Sequence, residues 1–131
     1  MIFSSNPTLI HHPAEKVFGF VSDLSLLGTL MPDQVVNWKS DQTHCSFSIT
    51  GMTDLSLKVD QCVPNSLFSL VPEGKSPFGF RLQTSIVEKG SVSEVVITLD
   101  ADLNPMLAMM AKRPLQNLVQ IMAEKLSKAD F

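Results

Sequence analysis

The chain has 131 residues, enough for about one domain. Ten Lys+Arg against 13 Asp+Glu leave a formal charge of −3, which argues against the basic face of a nucleic-acid binder. At 44% apolar and 18% charged it has the side chains for a real core, so a disordered tail and a disulfide-stapled miniprotein are both excluded.

No apolar run approaches the roughly 18 residues of a membrane span. The start, Met1 to Pro13, has neither the basic n-region nor the long apolar h-region of a signal peptide. Cys45 and Cys62 are too few for a disulfide framework and lack metal-type spacing. They read as free thiols on neighbouring strands, not opposite each other, in a reducing compartment, the cytoplasm.

In chain order, Ile2 to His11 is β-prone but broken by Asn6-Pro7, which suits an edge strand or a bulge. Pro13-Ala14-Glu15 opens a helix whose apolar face is Val17, Phe18 and Val21. Asp23 to Met31 reads as a second short helix with Asp23 as N-cap and Pro32 as its stop.

From Gln34 to Asp102 the apolar period changes to two. Val36 to Trp38 is one strand; Cys45 to Ile49 and Leu55 to Asp60 alternate cleanly. A three-residue loop at Gly51-Met52-Thr53 sets Ile49 opposite Leu55, Phe47 opposite Leu57 and Cys45 opposite Val59. A tight turn at Pro64-Asn65 sets Val59 against Leu70 and Gln61 against Phe68. After a turn in Glu73 to Pro77, Phe78, Phe80, Leu82, Thr84 and Ile86 share a face. A two-residue loop at Lys89-Gly90 then pairs Thr84 with Val95, Leu82 with Ile97 and Phe80 with Leu99. All three hairpins agree on which face is inside.

Helical period returns at Asn104-Pro105, an N-cap followed by proline at the first helical position. Leu107, Met110, Leu118, Met122 and Leu126 form its stripe, and Pro114 is expected to kink it. Pro105 to Lys128 as one helix is roughly 36 Å long and spans a globule of this size. The chain therefore reads as an α+β domain: six or seven antiparallel strands curled around one long terminal helix, with two short helices after strand 1. One helix about 10 Å wide leaves space beneath such a sheet, and that space is the expected pocket.

The motifs for other chemistry do not close. His11-His12 on a strand point to opposite faces and cannot readily chelate one ion, and His44 lies near a loop without a carboxylate cluster. Gly74-Lys75-Ser76 has Ser69 where a phosphate loop needs its first glycine, and no helix follows. No cofactor or metal is expected.

The element order, with the opening Pro13-Ala14-Glu15-Lys16-Val17-Phe18 and the Val21–Asp23 spacing, resembles the helix-grip fold of the SRPBCC superfamily, which holds START domains, the birch-pollen-allergen type and polyketide cyclases. Pro64-Asn65, Lys75 to Phe78 and Ala101 to Met106 further resemble a small group of bacterial members, mostly from Bacteroidetes. The resemblance covers essentially the whole chain. It implies a hydrophobic cavity for a lipid-like or aromatic molecule but no single activity, since this fold hosts carriers, cyclases, hydrolases and co-chaperones.

The expected lining is Phe47, Leu57, Val59, Phe68, Leu70, Phe80, Leu82, Thr84, Val95 and Ile97, with Met106 and Met110 from the helix. Met106, Met109, Met110 and Met122 soften its covering side. Thr84 or Gln61 would orient a polar end. Cyclases of this fold typically place Arg, Tyr, Asp or His in the cavity; Arg81 faces outward by parity and the chain has no Tyr. The leading expectation is non-enzymatic binding of a small hydrophobic molecule by a monomer or homodimer. The alternatives are a cyclase/aromatase-type enzyme, and a protein-interaction module using the sheet edge near Asn6-Pro7. Pro114, with Gly79 or the Leu24–Leu30 helix, is a candidate gate.

Overall fold

The computed structural model describes residues 1–50, 54–76 and 78–131. In chain order these form β1 (Ile2–Ser4), β2 (Thr8–Ile10), α1 (Ala14–Val21), α2 (Leu24–Leu27) and a 3-10 turn (Gly28–Leu30). There follow β3 (Val35–Ser40), β4 (His44–Ile49), β5 (Asp54–Val63), β6 (Leu67–Pro72), β7 (Phe80–Lys89), β8 (Val92–Ala101) and α3 (Pro105–Ser127). The antiparallel sheet runs β1-β8-β7-β6-β5-β4-β3, with β2 also paired to β8. Asn6-Pro7 splits the first strand as its proline requires, and the described sheet has eight strands where six or seven are expected. Ser5 bridges the break: its N–H reaches the Ile97 carbonyl at 2.8 Å, and its hydroxyl accepts from Ile97 N–H at 2.9 Å.

Face assignment by parity holds except beyond a bulge in β5, where Gln61, expected inside, is exposed, and three pairings differ from those expected. In β4–β5, Cys45 faces Leu57 and Phe47 faces Leu55, each two residues from the partner expected. The expected turn residues Gly51 to Thr53 lie outside the described residues. In β5–β6, Val59 does face Leu70, but Gln61 then faces Ser69 and Phe68 faces Cys62. The extra residue is Asp60. Here Ser69 Oγ accepts from Gln61 N–H at 3.0 Å and donates to Asp60 Oδ2 at 3.2 Å, and Arg81 Nε reaches the same carboxylate oxygen at 3.0 Å. A side chain thus replaces the missing ladder bond of a bulge. In β7–β8, Thr84 faces Ile97, Leu82 faces Leu99 and Phe80 faces Ala101, because the loop is Gly90-Ser91. Gly90 takes φ +74°, which glycine at the first position of such a turn permits without strain.

The helices follow their caps. Asp23 accepts from Ser25 N–H at 3.0 Å and Asn104 Oδ1 from Leu107 N–H at 2.8 Å. The second helix changes to a 3-10 turn at Gly28. In α1 the buried face is Ala14, Val17, Phe20 and Val21, while Phe18 is half-buried with its ring edge-on to Phe68 at 6.4 Å.

α3 runs unbroken through Pro114 and buries Ala111, Leu115, Val119, Met122, Ala123 and Leu126. It lies mainly over β8, β1, β2 and the 3-10 turn. Gln116 Nε2 donates to the Ser4 carbonyl at 3.0 Å, Gln120 Oε1 accepts from Asn6 N–H at 3.0 Å, and Lys125 Nζ donates to the Met31 carbonyl at 2.7 Å. Those two glutamines satisfy backbone groups beside the Asn6-Pro7 break, so the edge expected to offer a free docking strand is partly occupied by α3.

Candidate functional site: an apolar cavity under the C-terminal helix

The concave face of the sheet is filled at one end and open at the other. At the filled end α1 packs on β6, β7 and β8, and Phe68, Leu70, Thr84, Val95 and Ile97 are buried in continuous core. At the other end β4–β5 and β7–β8 present Phe47, Ile49, Leu55, Leu57, Phe80, Leu82 and Leu99 to a cavity roofed by Leu115 and Leu118 of α3. Met31, Val35 and Phe78 close its sides. The cavity measures about 40 Å³ and every described residue lining it is apolar.

Local geometry shapes one wall. Asn37 sits at φ 58° where the β3–β4 register shifts between Val36 and Lys39. The bend seats Trp38 over Gly28, with its Nε1–H donating to the Leu24 carbonyl at 3.1 Å. The indole stacks on Phe47 with ring centroids 5.3 Å apart and planes 15° from parallel. The chain's one tryptophan thus lies directly behind a lining residue.

Of the residues expected to line the pocket, Phe47, Leu57, Phe80 and Leu82 do so. Phe68, Leu70, Thr84, Val95 and Ile97 are buried in the core but are not among the residues lining the cavity. Val59 is half-buried short of the bulge. The helix methionines depart most from expectation: Met106, Met109 and Met110 are 73%, 87% and 73% exposed, and Met122 alone of the four points into the core. The small side chain of Ala111 marks the buried face, and at about 100° per residue Met110 falls well off it. Thr84 and Gln61 do not line the cavity.

Outside the cavity, and sharing four of its residues (Val35, Ile49, Leu115, Leu118), lies a groove of about 240 Å³ between α3 and the β3–β4 edge. Met110, Pro114 and Pro32 add apolar surface, and Gln34, Thr50 and Asn117 form its polar part. Pro114, expected as part of a gate, therefore flanks the way in. Gly79 is tied to the end of β8 by Asp102 N–H at 2.8 Å, and Leu24, Leu27 and Leu30 are buried.

A second cleft of about 320 Å³ shares no lining residue with the cavity. In it His44 Nε2 lies 3.1 Å from Glu73 Oε2, and His44 Nδ1 is 2.6 Å from Thr43 Oγ1. Asp41 accepts the backbone N–H groups of Thr43 and His44, both at 2.8 Å, and these bonds hold its carboxyl below the usual range. The neighbouring Cys45 thiol is pushed up to about 11 by burial, with the Asp41 charge adding to the rise, so it stays protonated and unreactive. Among the described residues no three of His, Cys, Asp and Glu gather in a way that could hold a metal, and both cysteines are free. No described helix is long and apolar enough to cross a membrane.

Solved structures share this architecture. A START superfamily protein from Mycobacterium smegmatis superposes with a TM-score of 0.69 at 15% identity, over 97% of each chain. The two chains share one fold. Protein XoxI from Bacillus cereus gives a TM-score of 0.76 at 9% identity, over 97% of this chain and 93% of that one. Norcoclaurine synthase from Thalictrum flavum gives 0.69 at 12% identity, over 98% and 84%. No family model matches the sequence, and no curated protein does. At these identities the likeness is one of START-type fold, which carriers and enzymes share, so function has to be argued from this cavity.

Proposed function

We propose that the protein binds a small apolar molecule, without chemical conversion, in the cavity between the sheet and α3. The observation that carries this reading is the wholly apolar lining: burial is the interaction such a wall offers, worth roughly 25 cal/mol for each Å² of ligand surface removed from water. Acid–base work of the cyclase type needs a positioned titratable group, and the lining supplies none. The His44–Glu73 pair opens on a different cleft.

The enclosed volume of about 40 Å³ exceeds the space for one water but is far below the roughly 300 Å³ of a drug-sized ligand site. The cavity as it stands takes the end of a ligand, and the adjoining groove takes the rest. Two free thiols fit a reducing compartment, and we place the protein in the cytoplasm, as a monomer or homodimer. Native mass spectrometry of the protein as purified tests the reading. A bound small molecule that is released on denaturation is the expected result; a bare chain that also takes up no apolar probe contradicts it.

A further inference from the structure

We infer that the ligand is an uncharged amphiphile: a medium-length apolar chain whose end enters the cavity, with a neutral polar head (hydroxyl, amide or carbonyl) held at the groove by Gln34, Thr50 and Asn117. This rests on the binding role proposed above and adds the chemistry of the ligand.

The two spaces are continuous in their walls but differ in polarity. Every described residue of the inner one is apolar. The outer one adds two side-chain amides and a hydroxyl. Thr50 N–H donates to the Gln34 carbonyl at 2.9 Å, which fixes these two residues side by side where β3 and β4 meet; Asn117 faces them from α3 across the groove. Among the described residues none hydrogen-bonds these three side chains, so their capacity is open to a ligand. Amides and hydroxyls donate and accept, so they suit a head of either kind.

An ionised head is disfavoured by the same walls. Among the described residues, no charged one lines the cavity or the groove. Gly51, Met52, Thr53 and Pro77 carry no ionisable side chain either. Lys112 and Arg113 are exposed on α3 and outside the groove's lining. A carboxylate or ammonium at this rim finds no counter-charge in the lining, whereas a hydroxyl, amide or carbonyl finds both donors and acceptors.

Trp38 is a built-in reporter, since the chain has one Trp, no Tyr, and an indole stacked on Phe47. Titrations with octan-1-ol, octanoate and octylammonium near neutral pH, followed by Trp38 emission, test the inference. Octan-1-ol is expected to bind saturably, and both ions at least about tenfold more weakly. Asn117→Lys, an exposed change that leaves the core intact, replaces one of the head-binding amides with a cation, so it should raise octanoate affinity about tenfold and weaken octan-1-ol. Equal affinity for the alcohol and either ion, or no gain of octanoate binding in Asn117→Lys, overturns the inference and leaves the binding role standing. Failure of all three probes to bind overturns both.

Discussion

Gly28→Ala should destabilise the protein, although glycine-to-alanine changes in helical backbone ordinarily stabilise. Gly28 sits at φ −59°, ψ −27°, where alanine is unstrained and worth about 0.5–1 kcal/mol. A Cβ there, however, would stand 2.5 Å from Trp38 Nε1 and 2.6 Å from its Cδ1 and Cε2, roughly 1 Å inside contact distance. The indole has little freedom to retreat, being stacked on Phe47 and hydrogen-bonded to the Leu24 carbonyl. Overpacking of this kind costs about 1–3 kcal/mol, and losing the indole hydrogen bond about 1 more. The net expectation is a loss of about 2 kcal/mol, or roughly 8 °C in Tm for a domain of this size. Urea unfolding followed by Trp38 emission measures it. Gly19→Ala in α1 is the control: nothing lies within 4 Å of its added Cβ, so it should gain about 0.5–1 kcal/mol. A neutral or stabilising Gly28→Ala would refute the account of how this wall is built.

Leu115→Ala should cost about 2–5 kcal/mol in chemical denaturation, because the residue is buried and roofs the cavity, and should increase uptake of an apolar probe. A thiol reagent should count one reactive cysteine, Cys62, in the native protein and two in denaturant, since Cys45 is buried with its pKa raised to about 11. Asp23 and Asp41 both have lowered pKa values in the fold, so each contributes stability above the ordinary carboxylate range that is lost as pH falls through the folded value. Asp41→Ala should therefore be less stable than the parent near neutral pH, and urea midpoints of the two should converge on acidification below about pH 4.

Parity carried more information in this sequence than length did. Because strand side chains alternate with a period of two, an error of two residues in a turn leaves every side chain on its face, and the Phe47–Leu55 and Leu82–Leu99 pairings differ from expectation in that way. The bulge at Asp60 depends on a side-chain contact from Ser69, which no local pattern announces. The cavity's floor was legible for the same reason, as Phe47, Leu57, Phe80 and Leu82 show. Which part of the concave face stays open was not legible. That depends on where α1 and α3 come to rest, and Phe68 and Ile97 share a face with Leu57 while being covered by different neighbours. The helix stripe misled because methionine counts as apolar wherever it stands. Ala111 and Leu115 define the buried side, and the three exposed methionines lie away from it.

Methyl-resolved NMR of the protein during titration with a small apolar probe such as 1-aminoanthracene bears most directly on where the ligand goes. Saturable shifts concentrated on Leu55, Leu57, Leu82, Leu115 and Leu118 are the predicted result. Shifts confined to Met106, Met109 and Met110, or no saturable shift at all, would contradict it.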